Sequence, residues 1–213
     1  MYAMVLTKPY LSYAVSVLSI YMANPRREHW KAVVWILRYL NSTINYGLIY
    51  GTDKRNESNV EDFMDADYAV DLDKRRLLTG YLFRLSGCTI SWKVSLQNVV
   101  ALSTTGAKYI ATADAINEAI WLKGMVTDLG YKQRQITVHC NSQSAICLSK
   151  NQIHHEKTKH IDIKLHFVRL EVSKGVVKLV KIHTDDNVTD MLTKALPGAK
   201  FEFCVNLAGV CRI

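Results

Sequence analysis

The strongest constraint on this chain is the way its apolar period changes along the sequence. Val60–Ala66, Gly80–Leu85 and Thr89–Trp92, the last continued by Val99–Leu102, are short β-rich runs that read as strands. Thr104–Leu129 then shifts to a helical period, with Ala115, Ala119, Leu122, Val126 and Leu129 along one stripe and Gly130 as a stop. Ile136–Cys140 returns to a strand. Ser142–Ser149 reads as a short helix capped by Ser142, and Lys159–Lys174 as a helix ended by Gly175. Val176–Ile182 is a further strand and Asn187–Leu192 a last short helix. Strands, helix, strand, helices, strand, helix: that order predicts an α/β domain with a mixed sheet and helices packed on it.

Residues 1–50 follow a different pattern and predict a helical pair. Tyr10–Ala23 is the first helix, ended by Asn24-Pro25, and Glu28–Leu40 is the second, with Trp30, Val33, Val34, Leu37 and Leu40 at helical spacing. The Tyr10–Ala23 run is too short to span a bilayer. Ser12, Ser16 and Ser19 draw a narrow polar stripe along it, which predicts an amphipathic helix rather than a secretory signal. The polar stretch 51–60 (GTDKRNESNV) reads as a linker.

A net charge of +8 favours an anionic partner such as nucleic acid, while 49% hydrophobic and 22% charged residues describe an ordinary folded chain. The five cysteines are odd in number and form no CxxC pair, so free thiols inside a cell are expected, in cytoplasm or nucleus, with no membrane partner.

Four positions fall where strands end and helices begin: Asp65, Lys108, Asn141 and Asp190. Such points converge at one edge of an α/β sheet. Four carboxylates there could hold two divalent ions about 3.5–4 Å apart, the layout of two-metal phosphoryl chemistry. Only two of the four are acidic.

The blocks around these positions resemble a known family. MYAMVLTKPYLSYAVSVLS, NPRREHWKAVVWILRYL, DADYAVDLDKRRLLTGYLF, SWKVSLQNVVALSTT, NSQSAICLSKN, KTKHIDIKLHFVR and DNVTDMLTKALP look like the ordered blocks of the Pol polyprotein of copia-type long-terminal-repeat retrotransposons. They correspond to the end of the reverse transcriptase followed by ribonuclease H. The resemblance implies a ribonuclease H-like mixed sheet with flanking helices over 61–196. Residues 1–50 would be truncated reverse-transcriptase thumb and connection helices, and 197–213 a C-terminal tail. Met1 falls within a reverse-transcriptase block, so the chain reads as starting inside a polyprotein. The Tyr-x-Asp-Asp polymerase signature is absent, and no polymerase activity is expected.

The family's ribonuclease H cleaves RNA in RNA–DNA hybrids with Mg2+ or Mn2+. Its metal site takes the first aspartate of D-A-D, the glutamate of A-E-Y, the aspartate of D-S-Q-S and the aspartate of A-D-x-L-T-K. Those positions are Asp65, Lys108, Asn141 and Asp190 here, and Gly106 replaces a residue that is commonly glutamate. Two aspartates and one lysine leave the set at −1 in place of −4. Divalent ions need anionic oxygens. A like-charge pair at about 4 Å costs roughly 4 kcal/mol at an effective dielectric near 20, and a divalent ion doubles that. The expectation is a weakly bound or lost metal and an inactive enzyme. Asp67, Asp185 and Asp186 are the substitute ligands to weigh, against a plain role as solvated carboxylates.

Lys157, Lys159, Lys164, Arg169 and Lys174 predict a basic helix suited to phosphates, or a merely solvated face. His154, His155, His160 and His166 match no common zinc spacing. His183 precedes Asp190, where ribonucleases H often place a mobile histidine, and Lys74-Arg75-Arg76 is a phosphate contact or a turn. Trp92 and Trp121 are expected to pack in the fold. Three functional readings stay open: a decayed fragment, a non-catalytic binder of hybrid or duplex, and a residual metal-dependent ribonuclease.

Overall fold

The computed structural model describes residues 2–51, 60–71, 76–97, 103–150 and 162–213, with the side chains of 67–71 outside that description. Helices α1 (Tyr2–Leu6), α2 (Ser12–Ser19) and α3 (Arg27–Ser42) come first, followed by a short strand, β1 (Tyr46–Leu48). Three antiparallel strands follow: β2 (Val60–Asp71), β3 (Arg76–Leu85) and β4 (Cys88–Leu96). Then come α4 (Thr104–Asp128), β5 (Ile136–Cys140), α5 (Gln143–Lys150), α6 (Asp162–Ser173) and β6 (Val177–Lys181). The chain ends with α7 (Asp190–Thr193), α8 (Gly198–Leu207) and β7 (Val210–Arg212). β5 and β6 run parallel to β2, giving a five-stranded mixed sheet in the order β4-β3-β2-β5-β6. This is the α/β, ribonuclease H-like layout expected from the sequence.

Strand alternation builds two cores, one on each face of the sheet. Val60, Met64 and Ala66 of β2 join Tyr81 and Phe83 of β3 beneath α4. There Ala107, Ala111, Ala115 and Ala119 let the helix lie close to the strands, and Ile116, Leu122 and Val126 fill the space between. Leu129, the last member of the predicted stripe, lies past the end of α4 and is exposed. Gly130 turns the chain there with φ +93°. On the other face, Phe63 and Leu82 meet Tyr10, Leu11, Met191, Leu192, Cys204 and Val210.

The second core ties both ends of the chain to the sheet. β1 pairs antiparallel with β7, from Tyr46↔Arg212 to Leu48↔Val210. The Lys8 ammonium donates to the carbonyls of Thr43 and Tyr46, both at 2.8 Å. Thr89 Oγ1 donates to the buried Ala208 carbonyl at 2.7 Å.

Four expectations are corrected here. The Tyr10–Ala23 helix is a 3-10 turn at Pro9–Leu11 followed by the shorter α2. Its serine stripe faces water only at Ser19: Ser12 and Ser16 are buried, because small hydroxyls let α2 approach β4 and α7, and Ser12 Oγ is satisfied by the Met4 carbonyl. The apolar stripe of α3 buries no residue; Trp30 and Leu37 are exposed. Trp92 does pack, donating Nε1–H to the Met4 carbonyl at 2.7 Å, whereas Trp121 is exposed on α4.

Candidate functional site

Asp65 sits on β2 one residue beyond the last parallel pair, Met64↔Cys140, and opposite Gly80 on β3. Gly80 is needed there. A Cβ at that position would lie 2.7 Å from Thr193 Cγ2 and 3.1 Å from Leu192 Cβ. Glycine therefore lets α7 press against the sheet, and Thr193 Oγ1 donates to Asp65 Oδ2 at 3.0 Å. The approach to α7 is fixed by Asn187, fully buried, which donates to the Met64 carbonyl and accepts from Thr189 Oγ1 at 2.7 Å.

The other positions arrive from separate elements. Lys108 stands in the first turns of α4, whose start is capped by Ser103 Oγ accepting from Gly106 N–H. Asn141 follows β5, and the expected Ser142 cap is present, with Ser142 Oγ accepting from Ala145 N–H at 3.2 Å. Asp190 opens α7.

The structure brings Asp65, Lys108 and Asn141 into direct contact. The Lys108 ammonium is 3.3 Å from Asp65 Oδ1 and donates to Asn141 Oδ1. Asn141 Nδ2 donates to Asp65 Oδ1 at 3.2 Å. Asp190 joins through a residue that sequence reasoning missed. Lys194 lies 3.2 Å from Asp65 Oδ2 and 3.0 Å from Asp190 Oδ1. The signal for it was the i, i+4 spacing from Asp190. Counting Lys194, the group holds two carboxylates and two ammoniums, so the net −1 inferred from four positions becomes neutral. Lys194 lies within the family's own A-D-x-L-T-K segment. The substitutions at 108 and 141 are therefore what separate this site from the family's.

Electrostatics follow the geometry. Burial pushes the Asp65 carboxyl up, but Lys194 and Lys108 override it and hold the group below the usual carboxylate range. Burial raises Asp190, and the Asp65 charge adds to that, with Lys194 opposing. Burial lowers Lys194, but Asp65 and Asp190 together raise it, so it stays charged.

These residues do not fit a pair of divalent ions. The oxygens that a cation would ligate already face ammonium groups at hydrogen-bond distance. Lys194 also bridges Asp65 and Asp190, the two carboxylates left at the family's ligand positions. Among the described residues no group of three or more His, Cys, Asp or Glu side chains could hold a metal. Of the substitute ligands, Asp185 is exposed and pairs with His183 at 3.3 Å, Asp186 is exposed, and the Asp67 side chain lies outside the described residues. His183 is itself exposed and committed to Asp185.

The predicted basic helix is only partly described. Lys157 and Lys159 lie outside the described residues, as do His154, His155, His160, Lys74 and Arg75. Of the remaining members, two are paired with carboxylates and the third donates to a main-chain carbonyl. Lys164 pairs with Asp114, Arg169 Nε donates to the Leu148 carbonyl at 3.2 Å, and Lys174 pairs with Glu171 at 2.7 Å.

All five cysteines are free, and among the described residues no helix is long and apolar enough to cross a membrane. No family model matches the chain. The Pol polyprotein of transposon TNT 1-94 from Nicotiana tabacum is 48% identical over 99% of this chain and 16% of its own length. That of transposon RE1 from Arabidopsis thaliana is 36% identical over 97% of this chain and 14% of its own. The chain thus spans about one-sixth of the length of these relatives. Among solved structures, the N-terminal RNase H domain of a Mycobacterium tuberculosis protein is similar with a TM-score of 0.47 and 11% identity, over 71% of this chain and 99% of that one. With near-half identity along almost its whole length, the chain is similar to one segment of the Pol polyproteins of copia-type retrotransposons.

Proposed function

We propose that this chain is a ribonuclease H-like domain that binds nucleic acid without cutting it, with an RNA–DNA hybrid as its first ligand to test and an intracellular compartment as its setting. The observation that carries the reading is Lys108. Its ammonium lies against Asp65 and Asn141, where the family's glutamate would add a negative oxygen. Two-metal hydrolysis needs closely spaced anionic ligands to hold its ions. A fixed cation in their midst opposes both binding and charge balance, so Mg2+ or Mn2+ has no adequate seat. Affinity for nucleic acid is supported by the chain's +8 charge and by its similarity to the Pol polyproteins.

The test is incubation of an end-labelled RNA–DNA hybrid with the chain in magnesium or manganese, followed by gel separation. No cleavage is expected. Lys108→Glu combined with Asn141→Asp is expected to gain metal-dependent cutting, because it returns two anionic ligands to the site. Cutting by the unaltered chain that disappears in Asp65→Asn would overturn the reading.

A further inference from the structure

The two carboxylates of the site lie beneath its ammoniums. The side chains of Asp65 and Asp190 are 1% and 4% exposed, those of Lys108 and Lys194 23% and 29%. A solute arriving from water meets the lysines first. Two more lysines stand at the rim. Lys181 donates to the Asn141 carbonyl and Lys200 to the Asp185 carbonyl. A main-chain carbonyl satisfies a hydrogen without cancelling charge, and among the described residues neither lysine has a carboxylate partner. Four ammoniums therefore stand over the two buried carboxylates, while Asp185 and Asp186 are exposed in the loop that Lys200 holds. The family's ligand set at the same place would be strongly negative.

In two-metal chemistry the cations meet the phosphate of the nucleic acid. We propose that Lys108, with Lys194 beside it, seats a backbone phosphate of nucleic acid directly, so that binding needs no divalent ion. This rests on the nucleic-acid reading above. An ammonium has three donors. Lys108 donates to Asn141 Oδ1 and lies 3.3 Å from Asp65 Oδ1, and with its side chain 23% exposed it keeps donor capacity for an acceptor arriving from solvent. A charge-assisted hydrogen bond to a phosphate oxygen is the strong kind. Asn141 acts as a positioning residue: its carbonyl holds the Lys108 ammonium while its amide holds Asp65.

The experiment is fluorescence anisotropy of the full chain with a labelled RNA–DNA hybrid, titrated across salt, once in EDTA and once in magnesium. Equal affinity in the two buffers is expected. Lys108→Gln is expected to lower the slope of log affinity against log salt by about 0.9, which is about eightfold in affinity at ~0.1 M salt. Asp65→Asn frees both ammoniums from their internal partner and is expected to tighten binding, a gain that unfolding cannot imitate. A requirement for magnesium, an unchanged slope in folded Lys108→Gln, or weaker binding by folded Asp65→Asn overturns the phosphate seat and leaves nucleic-acid binding standing. Failure to bind the hybrid at low salt removes both.

Discussion

Replacing Asp65 by alanine separates a metal-type acidic cluster from an internal ion-pair network by the sign of its effect. In a cluster of like charges, removing one carboxylate relieves repulsion and stabilises the fold. Here Asp65 accepts from Thr193 Oγ1 at 3.0 Å and Asn141 Nδ2 at 3.2 Å, and it faces Lys108 and Lys194 at 3.3 and 3.2 Å. Two neutral hydrogen bonds contribute about 1 kcal/mol each. A buried ion pair stripped of one partner costs about 3–5 kcal/mol. Both lysines, however, are more than a fifth exposed and can turn to water, so about 1 kcal/mol is retained for them. The expected loss is about 3 kcal/mol, which for a urea m-value near 2 kcal/mol/M moves the midpoint down by about 1.5 M. Urea titration followed by circular dichroism reads it directly. Acid titration supplies an independent check. The folded Asp65 carboxyl is held below its unfolded value, so its stabilisation is complete above about pH 4 and is lost as pH falls through the folded pKa. Asp65→Ala should lack that part of the acid slope. An unchanged or higher midpoint in Asp65→Ala would refute the network.

Asp62 should behave in the opposite sense. It is fully buried, burial holds its carboxyl well above the ordinary range, and the amides of Phe63 and Leu82 only partly offset that. A raised folded pKa makes the wild-type chain lose stability as pH climbs from about 4 towards that pKa. Asp62→Leu should be at least as stable at neutral pH and lose this slope; a variant less stable than wild type at pH 8 would show the carboxylate to be satisfied. Gly80→Ala drives a methyl against Thr193 and Leu192, so about 1–3 kcal/mol of stability should be lost. An unshifted thermal midpoint in that variant would mean that α7 is not seated on the sheet at Asp65.

The sequence showed this fold best where one short-range pattern decides the outcome. Ile136–Cys140 is observed with the bounds its β-branched run predicts, because both of its neighbours are parallel strands and its inward side chains are all apolar. The convergence of positions 65, 108 and 141 was legible for a related reason: strand ends and helix starts along one sheet edge are fixed by element order. Features decided by distant partners were not legible. The three-residue strands β1 and β7 have no period to read, and each exists because the other supplies its hydrogen bonds across the whole chain. The serines of α2 resemble a solvent face until β4 and α7 are placed against them. Lys194 was hidden by the shortness of α7, whose single turn cannot display a periodic pattern. Yet Lys194 completes the charge count at this site, since the four family positions alone keep a small negative charge. With a second ammonium bridging Asp65 and Asp190, that charge is gone, and the partner such a surface selects is an anion.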